Sequence, residues 1–523
     1  MAYGLWVAST DRTARPTTAY RSLPSLRAGT RRAMRPSGPP TDEIPIWTTP
    51  DGVDSVTAQA VIDLAMRAGV AMIATGAAAA DVTATVLTLT KAYGLSSVHV
   101  DVTYTSVTVS YHRGPNADPI TVMRIVRFRV QDYTRLERLR SLIVDLSQDP
   151  VSVDEARVRF DAVITAPHPY RRWLVTVAGG ALAAGAAGLV GAGPFIILLS
   201  FLTATVVGRV LAWLTGAGVA AFFAQCVGAA IPTAVATLLV VAQSAGLTFV
   251  GDVSPSLVVA SGIVLLLAGL SVVGAAEDAL GGYYVTAGAR GFEVIVLSLG
   301  IAVGISIVLS LGKRLDYPIA ITSQTLLSDN LVVQVVCAVI ISVAFAVLSY
   351  SSGTAVVVAG FAGGFGWIVL ALAERTLELG AVTASATAAL VIGFAARLVA
   401  RWLTISALAV TTAAIVPLLP GRMAYEGISQ LVTNPDGNGF AVGIPILVQA
   451  FGLGLGLAAG VSLGTYFAGL LVAKRQGVRP RPAAGATLPT DPDPMATGST
   501  APVLSETSDL PAVPDDAQRA EQP

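Results

Sequence analysis

The sequence predicts an α-helical polytopic membrane protein, with about ten transmembrane helices in two five-helix halves and an N-terminal cytoplasmic α/β domain. Of its 523 residues, 54% are hydrophobic and only 13% are charged, against roughly 25% charged in an ordinary soluble protein. Residues 173–472 hold only 18 of the 33 basic and 33 acidic side chains. A soluble enzyme of this length needs charge over its whole surface, so the composition argues against one.

The two ends have the composition of disordered tails. Residues 1–50 form a basic N-terminal tail with seven Arg and one acidic residue, Asp11, in the first 40 positions. This pattern is typical of a disordered cytoplasmic segment or of a basic arm that touches anionic lipid. Residues 476–523 form a Pro-rich C-terminal tail with nine Pro after position 479, which is also predicted to be disordered.

Residues 51–170 are predicted to form the cytoplasmic α/β domain. Apolar residues first recur at helical spacing, and Gly76 closes the first helix. The pattern then changes to strict alternation, which indicates half-buried strands, and returns to helical spacing. The predicted elements are helices at 53–75 and 77–92, a strand or hairpin at 97–111, a strand at 120–130, and helices at 133–147 and 153–164.

Ten apolar runs follow, most of them about as long as the 20 residues that a bilayer core needs. Five lie in a first half, residues 171–312, and five in a second half, residues 313–475. Because five is odd, the halves would cross the membrane in opposite directions, as the inverted repeats of secondary transporters do. The runs cover residues 173–193, 194–214, 219–244, 256–276, 291–312, 331–350, 354–373, 378–399, 402–419 and 441–472.

The fourth run of each half ends in a similar way. Residues 266–269 (LLAG) in the first half correspond to residues 418–421 (LLPG) in the second, and polar residues follow both. Interrupted helices free backbone groups for a ligand in many secondary transporters. Gly269, Pro420 and Gly421 are therefore predicted to break helices beside a substrate site.

Polar and ionisable groups near these breaks are candidates for substrate and proton binding, because a charge at membrane depth is costly and usually functional. Asp278 and Glu293 could contact a substrate ammonium group or carry a coupling proton. Arg290 matches the geometry of a carboxylate. Thr286 lies between them, and Tyr425 follows the second run. The alternative is that Asp278 and Arg290 are loop charges and Glu293 is a surface carboxylate favoured by the helix dipole.

His99 and Asp101 share one face of a predicted strand, where an acid–base or metal pair is conceivable. The chain holds only three His, and no cluster has the spacing of metal ligands. No catalytic residue, metal site or cofactor is therefore predicted, and no nucleic-acid partner is expected.

Glycine recurs every fourth residue in the last apolar run, at positions 452, 456, 460 and 464. This spacing places the four glycines on one helix face, which is typical of close helix packing in membranes. The face packs either within one chain or between the chains of a homo-oligomer.

Lys and Arg near the helix ends indicate the orientation, because they are enriched on the cytoplasmic side. With a cytoplasmic N-terminus, eight such residues lie inside and four outside. The chain is thus predicted to be a multi-pass plasma-membrane protein with both termini in the cytoplasm. Lys313 and Arg314 oppose this orientation, since they fall outside.

In the site residues and motifs described above, the chain resembles the threonine/serine exporter family. The resemblance covers roughly residues 52–475 and includes motifs of both the soluble domain and the membrane region. The matching stretches are Gly76, 92–95 (AYGL), 99–103 (HVDVT), 260–262 (ASG), 267–270 (LAGL), Asp278, 285–287 (VTA), 289–290 (AR), Glu293, 417–421 (PLLPG) and Tyr425.

The resemblance implies a secondary transporter that exports small hydrophilic amino acids, threonine and serine, driven by the proton motive force. Two alternatives stay open. One is a dicarboxylate exporter, because some relatives with the halves on separate polypeptides look like such exporters, although the predicted site offers few cationic groups. The other is a membrane-anchored enzyme or sensor acting through residues 51–170, which show no clear nucleophile and base.

Overall fold

The structure, a computed structural model, describes most of the chain. The described residues are 53–113, 118–126, 129–246, 254–264, 266, 269–315, 330–403, 405–433 and 438–476. The predicted N-terminal tail lies outside these residues, and so does the predicted C-terminal tail apart from Gln476.

Residues 53–165, referred to as the N-terminal region, combine four helices with an antiparallel sheet of strand order β1-β2-β3. Asp54, Asp132 and Ser152 cap three of the helices, because their side chains accept hydrogen bonds from backbone N–H groups of the first turn. The elements are α1 (Ser55–Ala74), α2 (Ala79–Ala92), β1 (Val98–Val102), β2 (Ser106–Tyr111), β3 (Ile120–Ile125), α3 (Tyr133–Gln148) and α4 (Val153–Thr165).

α1 lies at the centre of the core of the N-terminal region, in contact with α2, α4 and the sheet. Its buried residues include Ile62, Met66 and Met72, which belong to the same apolar cluster as Val107 and Val109 of β2. α1 has the length and hydropathy of a membrane span, but 56% of its most apolar window is buried inside the protein. Packing against the sheet therefore accounts for its apolar character.

The strand predicted over 120–130 is shorter in the structure, where β3 ends at Ile125. Its partner strand β2 begins at Ser106, opposite Ile125, so later residues have no strand to pair with. The chain instead approaches the end of α1, where the Val130 N–H donates to the Ala74 carbonyl at 2.8 Å. The predicted strand was therefore too long.

The remaining helices form the membrane region. Within the described residues, eight of them (α5, α6, α7, α10, α11, α12, α13 and α16) are long and apolar enough to cross a membrane, so the chain is a polytopic membrane protein. In chain order the elements are α5 (Arg172–Leu189), α6 (Pro194–Gly216), α7 (Ala221–Ser244), α8 (Pro255–Gly262), α9 (Gly269–Leu280), α10 (Tyr284–Arg314), α11 (Leu331–Leu348), α12 (Gly353–Arg375), α13 (Ala381–Leu403), α14 (Ala407–Ile415), a 3₁₀ turn (Val416–Leu418), α15 (Gly421–Thr433) and α16 (Gly439–Gln476).

The fourth apolar run of each half, expected as one helix at 256–276 and at 402–419, is interrupted in the structure. The first break lies between α8 and α9, where the Val264 and Leu266 N–H groups donate to carbonyls three residues earlier, at 3.3 and 2.8 Å. The second break lies between α14 and α15, where the 3₁₀ turn precedes Pro420. Proline has no N–H, and its ring clashes with a preceding helical turn, so a regular helix does not continue there.

The two breaks contact each other. A Cβ placed on Gly269, the first residue of α9, would lie 3.2 Å from Leu419 Cδ1 in the second break. Glycine permits such a close approach because it has no side chain. The two breaks therefore form one structural feature between the halves.

The fifth helix of each half packs on the third helix of the same half through glycine. In the first half, a Cβ on Gly304 of α10 would lie 2.1 Å from the Cys226 carbonyl oxygen of α7. In the second half, a Cβ on Gly464 of α16 would lie 2.1 Å from the Leu390 carbonyl oxygen of α13. Corresponding helices of the two halves thus make the same kind of contact.

The glycine face at 452–464 packs mainly within the chain. Gly456 and Gly460 also approach α13, and their Cβ atoms would lie 3.1 Å from the Val382 oxygen and 2.2 Å from the Ala386 oxygen. Gly452, by contrast, has no neighbouring atom within 4 Å. Three of the four glycines therefore serve helix packing inside one protomer.

The first helices of the two halves, α5 and α11, run antiparallel. The start of α5 lies beside the end of α11, because the Tyr170 hydroxyl donates to the Ser351 carbonyl at 2.8 Å. Near the other ends, a Cβ on Gly188 of α5 would lie 2.7 Å from Cys337 Sγ of α11. These corresponding helices of the two halves therefore point in opposite directions.

Candidate functional site

A cavity of about 940 Å³, referred to as the larger cavity, lies where the two breaks meet. Gly269 lines it from the first break, and Pro420 and Gly421 line it from the second. Most of its wall is apolar, and its polar lining comes from both halves. Among the polar side chains are Gln225, Ser261, Glu374, Ser385, Glu426 and Gln449.

A second cavity of about 420 Å³, referred to as the smaller cavity, adjoins the larger one. It lies between the N-terminal region and the membrane helices and has a strongly charged lining that includes Arg290 and Glu293. The two cavities share lining residues, among them Arg129, Gln131 and Ser271. The two cavities therefore adjoin at these residues, between the breaks and the N-terminal region.

Asp278 and Arg290 form a buried ion pair beside the smaller cavity. Asp278 Oδ2 lies 3.2 Å from Arg290 Nη1, and the two side chains are 1% and 15% exposed. The other carboxylate oxygen accepts a hydrogen bond from the Ala79 N–H at 3.3 Å. Ala79 is the first residue of α2, so the helix dipole also favours the negative charge there. Asp278 thus links the membrane region to the N-terminal region.

Glu293 of α10 is held by Tyr104, in the turn between β1 and β2. The Tyr104 hydroxyl donates a hydrogen bond to Glu293 Oε2. Burial, together with this hydrogen bond, raises the pKa of Tyr104 to about 12, so the tyrosine remains a donor at physiological pH. The Arg129 guanidinium stacks on its ring at 3.6 Å from the centroid, and the Arg290 guanidinium lies at 5.9 Å.

Glu277 lines the smaller cavity and lies on the last turn of α9, beyond the apolar run that ends at residue 276. Burial raises the pKa of Glu277 to about 7, helped by the negative charges of Asp81 and Asp278 and opposed by Arg290 and Arg140. A carboxyl group with this pKa exchanges its proton near neutral pH. It is therefore suited to carry a proton.

The N-terminal region contacts both halves of the membrane region. Towards the first half, the Thr286 hydroxyl donates to the Val102 carbonyl at 3.1 Å. Towards the second half, the Thr134 N–H donates to the Tyr350 carbonyl at 3.2 Å, and Ala409 belongs to the apolar core of the N-terminal region. The region therefore covers the smaller cavity while spanning the boundary between the halves.

The predicted site residues thus divide into two groups. Asp278, Thr286, Arg290 and Glu293 gather at the contact with the N-terminal region, whereas the break residues line the larger cavity. Tyr425 lies on α15 after the second break, and its side chain is outside the described part of the structure.

The predicted motif residues of the soluble domain lie in different places. Gly76 lines the smaller cavity and has a φ of +99°, a conformation that favours glycine. His99 and Asp101 are exposed on β1, and the His99 ring lies 5.4 Å from that of His112. In the described part of the chain, no group of three His, Cys, Asp or Glu side chains is placed to hold a metal ion.

Three charged or polar residues of the site were missed by the sequence reasoning. The sequence pattern places Arg129 in a strand and Tyr104 in a strand or hairpin, and neither element carries a signal for a membrane site. Glu277 is one of the polar residues that follow the first break, and its position beside Asp278 is the signal that could have included it.

The described residues contain eight long apolar helices in two halves, with corresponding breaks around a partly polar cavity. These features define a multi-pass membrane transport protein. Sequence comparison then gives the family, and the chain belongs to the threonine/serine exporter family. One family model described as a threonine/serine exporter matches residues 63–312. A second, described as "Threonine/Serine exporter, ThrE", matches residues 334–463.

Two relatives are similar over most of the chain. A Mycobacterium tuberculosis protein named "Probable threonine/serine exporter" is 34% identical over 460 residues, which cover 85% of this chain and 83% of the relative. A Corynebacterium glutamicum protein named "Threonine/serine exporter" is 30% identical over 446 residues, which cover 84% and 88%. Both relatives are named as exporters and not as enzymes. No solved structure matches the chain significantly.

Proposed function

We propose that this protein is a secondary active transporter that exports threonine and serine from the cytoplasm in exchange for protons. The observation that carries the proposal is the pair of adjoining cavities, which runs from the two helix breaks to a cluster of ionisable residues. A secondary transporter needs both a substrate site between its halves and groups that exchange protons. The names of the two relatives support the choice of substrate.

We also propose the topology and the domain boundaries. Residues 51–170 are a cytoplasmic domain, and residues 171–312 and 313–475 are inverted repeats in the plasma membrane with both termini cytoplasmic. The antiparallel course of α5 and α11 supports the inversion. The N-terminal region contacts residues 283–286 and 349–350, and both stretches fall at predicted cytoplasmic ends of helices.

The substrate binds in the larger cavity, near mid-membrane, where Gly269, Pro420 and Gly421 interrupt the fourth run of each half. Breaks of this kind leave backbone N–H and carbonyl groups without helical partners, and these groups can bind the polar parts of an amino acid. Tyr425, which follows the second break in the sequence, is proposed as a further residue of this site.

Proton coupling uses the carboxylates at the contact with the N-terminal region. A proton on Asp278 would neutralise its ion pair with Arg290 and weaken its contact with α2. A proton on Glu293 would weaken the hydrogen bond from Tyr104. Both changes loosen the N-terminal region from α9 and α10, and the neighbouring contact at Thr286 would open with them. The gating of the cavities is thereby linked to protonation.

The two alternative functions are not favoured. Neither relative is named as a dicarboxylate exporter, and neither is named as an enzyme or a sensor. The strongly charged smaller cavity has carboxylates as well as guanidinium groups in its lining, and this mixture suits a zwitterion better than a dianion.

Transport by the full chain in proteoliposomes tests the proposal. Labelled threonine, serine or succinate is loaded, a pH gradient is imposed, and the flux is followed. We expect gradient-dependent flux of threonine and serine, and its strong reduction in Asp278→Asn and Glu293→Gln. The exposed Asp145 of α3 gives a matched control, Asp145→Asn. Absence of gradient-dependent flux of both threonine and serine would refute the function, whereas normal flux in both variants would refute only the site.

A further inference from the structure

Among the described residues, Arg129 is the cationic side chain that lines both cavities. It comes from the segment between β3 and α3, which leaves the sheet because β3 has no partner beyond Ile125. Its guanidinium is stacked on Tyr104, 3.6 Å from the ring centroid. The N-terminal region thereby places a positive charge at the junction of the two cavities.

Two other charged groups of the smaller cavity already have partners. Arg290 is paired with Asp278, and Glu293 accepts the hydrogen bond from Tyr104. Among the described residues, no carboxylate oxygen lies within 4.0 Å of the Arg129 guanidinium. Burial lowers the pKa of Arg129, which reflects the cost of holding this charge away from water. A partly buried guanidinium of this kind is stabilised by an anionic ligand.

We propose that Arg129 binds the α-carboxylate of the transported amino acid, so that the N-terminal region supplies part of the substrate site. The Arg129 side chain lines both cavities. The planar guanidinium presents two parallel N–H donors that match the two oxygens of a carboxylate. This inference rests on the proposed function, since it names the contacts that an exported amino acid makes.

The position of Arg129 also explains how the substrate passes between the cavities. Because Arg129, Gln131 and Ser271 line both cavities, an amino acid can keep its carboxylate on the same guanidinium while it moves towards the helix breaks. Its charge is then never left without a partner in a mostly apolar wall.

Transport kinetics of the full chain in proteoliposomes test the proposal. The variants are Arg129→Gln, which removes the charge, and Arg129→Lys, which keeps the charge but lacks the two parallel N–H donors of the guanidinium. Arg124→Gln is the matched control, because Arg124 lies on β3 shortly before this segment and pairs with Asp63 at 2.5 Å. The competitors are threonine and threoninol, in which an alcohol replaces the carboxylate.

We expect Arg129→Gln to raise the KM for threonine by at least about tenfold, as the loss of a hydrogen bond to a charged group does. The Arg124→Gln variant should keep the KM of the unchanged protein. The unchanged protein should prefer threonine to threoninol as a competitor, and Arg129→Gln should lose that preference. Arg129→Lys should retain part of it.

An unchanged KM in Arg129→Gln, or a fall in kcat alone, would overturn the proposal, because either result would leave Arg129 without a contact to the substrate. If Arg129→Gln does not assemble, Arg129→Lys decides, and an unchanged KM there overturns the proposal as well. A chain that moves neither threonine nor serine would refute the proposed function itself, which separates the two failures.

Discussion

Three neighbouring carboxyl groups differ because their surroundings differ. Asp278 faces Arg290 and the start of α2, and Glu293 faces the hydroxyl of Tyr104. Glu277 is different, because burial and two nearby negative charges raise its pKa to about 7. Asp278 and Glu293 thus make fixed contacts, whereas Glu277 exchanges its proton near neutral pH.

The raised pKa of Glu277 predicts a pH-dependent stability. Because its pKa rises from 4.5 to about 7 on folding, the folded protein binds this proton more tightly than the unfolded chain does. The resulting stabilisation is fully present below pH 4.5 and is lost as the pH rises through about 7. We expect the Tm of the detergent-solubilised protein to fall by a few degrees across this range and Glu277→Gln to reduce the fall, whereas an identical pH profile in the variant would contradict the prediction.

A second prediction concerns the hydroxyl of Tyr104. Tyr104→Phe removes the donor that satisfies Glu293, and a partly buried carboxylate left without its partner costs roughly 1–3 kcal/mol. We expect a lower free energy of unfolding, measured by denaturant titration in micelles. Tyr284→Phe is the control, because Tyr284 is 75% exposed. Equal stability of the two variants would show that the hydrogen bond contributes nothing.

At the scale of elements, small residues decide how closely the membrane helices approach. In both halves the fifth helix rests on carbonyl oxygens of the third helix through glycine, as at Gly304 and Gly464. Close contact of this kind strengthens dispersion and weak Cα–H···O interactions in a medium where no hydrophobic effect drives helices together. The glycine spacing of the last apolar run therefore allows α16 to pack closely against α13.

Two alanine variants of the last helix test this packing. Gly460→Ala would place a Cβ 2.2 Å from the Ala386 carbonyl oxygen of α13, so the helices must move apart at a cost of roughly 1–3 kcal/mol. Gly452→Ala meets no atom within 4 Å and should leave stability unchanged or slightly higher. Thermal unfolding in detergent compares the two, and equal Tm values would rule out the packing role of Gly460.

For the whole molecule, the N-terminal region acts on both halves at once. Its contacts through Thr286 and Tyr350 join it to the first and the second half, and it covers the smaller cavity. Alternating access moves one half against the other, so a region bound to both halves must release at least one of them. We infer that undocking accompanies transport.

A disulfide across the docking contact tests this inference. The Thr134 N–H donates to the Tyr350 carbonyl at 3.2 Å, so Thr134→Cys with Tyr350→Cys places two cysteines on adjacent backbone segments once the free cysteines Cys226 and Cys337 have been replaced. We expect oxidation to reduce threonine flux at least tenfold and a reductant to restore it. Each single-cysteine variant is the control, and full flux in the cross-linked protein would contradict undocking.

Much of the fold follows from local sequence patterns. Among the described residues, eight of the predicted apolar runs overlap long helices and two overlap interrupted ones, and Gly269 and residues 418–421 lie at the two breaks. The length of the strand after residue 120 could not be predicted, because it depends on where β2 begins and not on the residues of β3 themselves. The location of α1 also could not be decided from its apolar character, because a membrane helix and a core helix have similar local sequences.

The sequence by itself determined the class of this protein, because hydropathy, charge placement and glycine spacing are properties of neighbouring residues. Only the tertiary structure decided how the charges pair. Asp278 contacts Ala79 across 199 positions of the chain, and Glu293 contacts Tyr104 across 189. Arg129 reaches the cavities because the chain leaves the sheet after β3, where β2 has no further residue to pair with. Such contacts depend on how the N-terminal region rests on the membrane helices, and no periodicity within one segment encodes that arrangement.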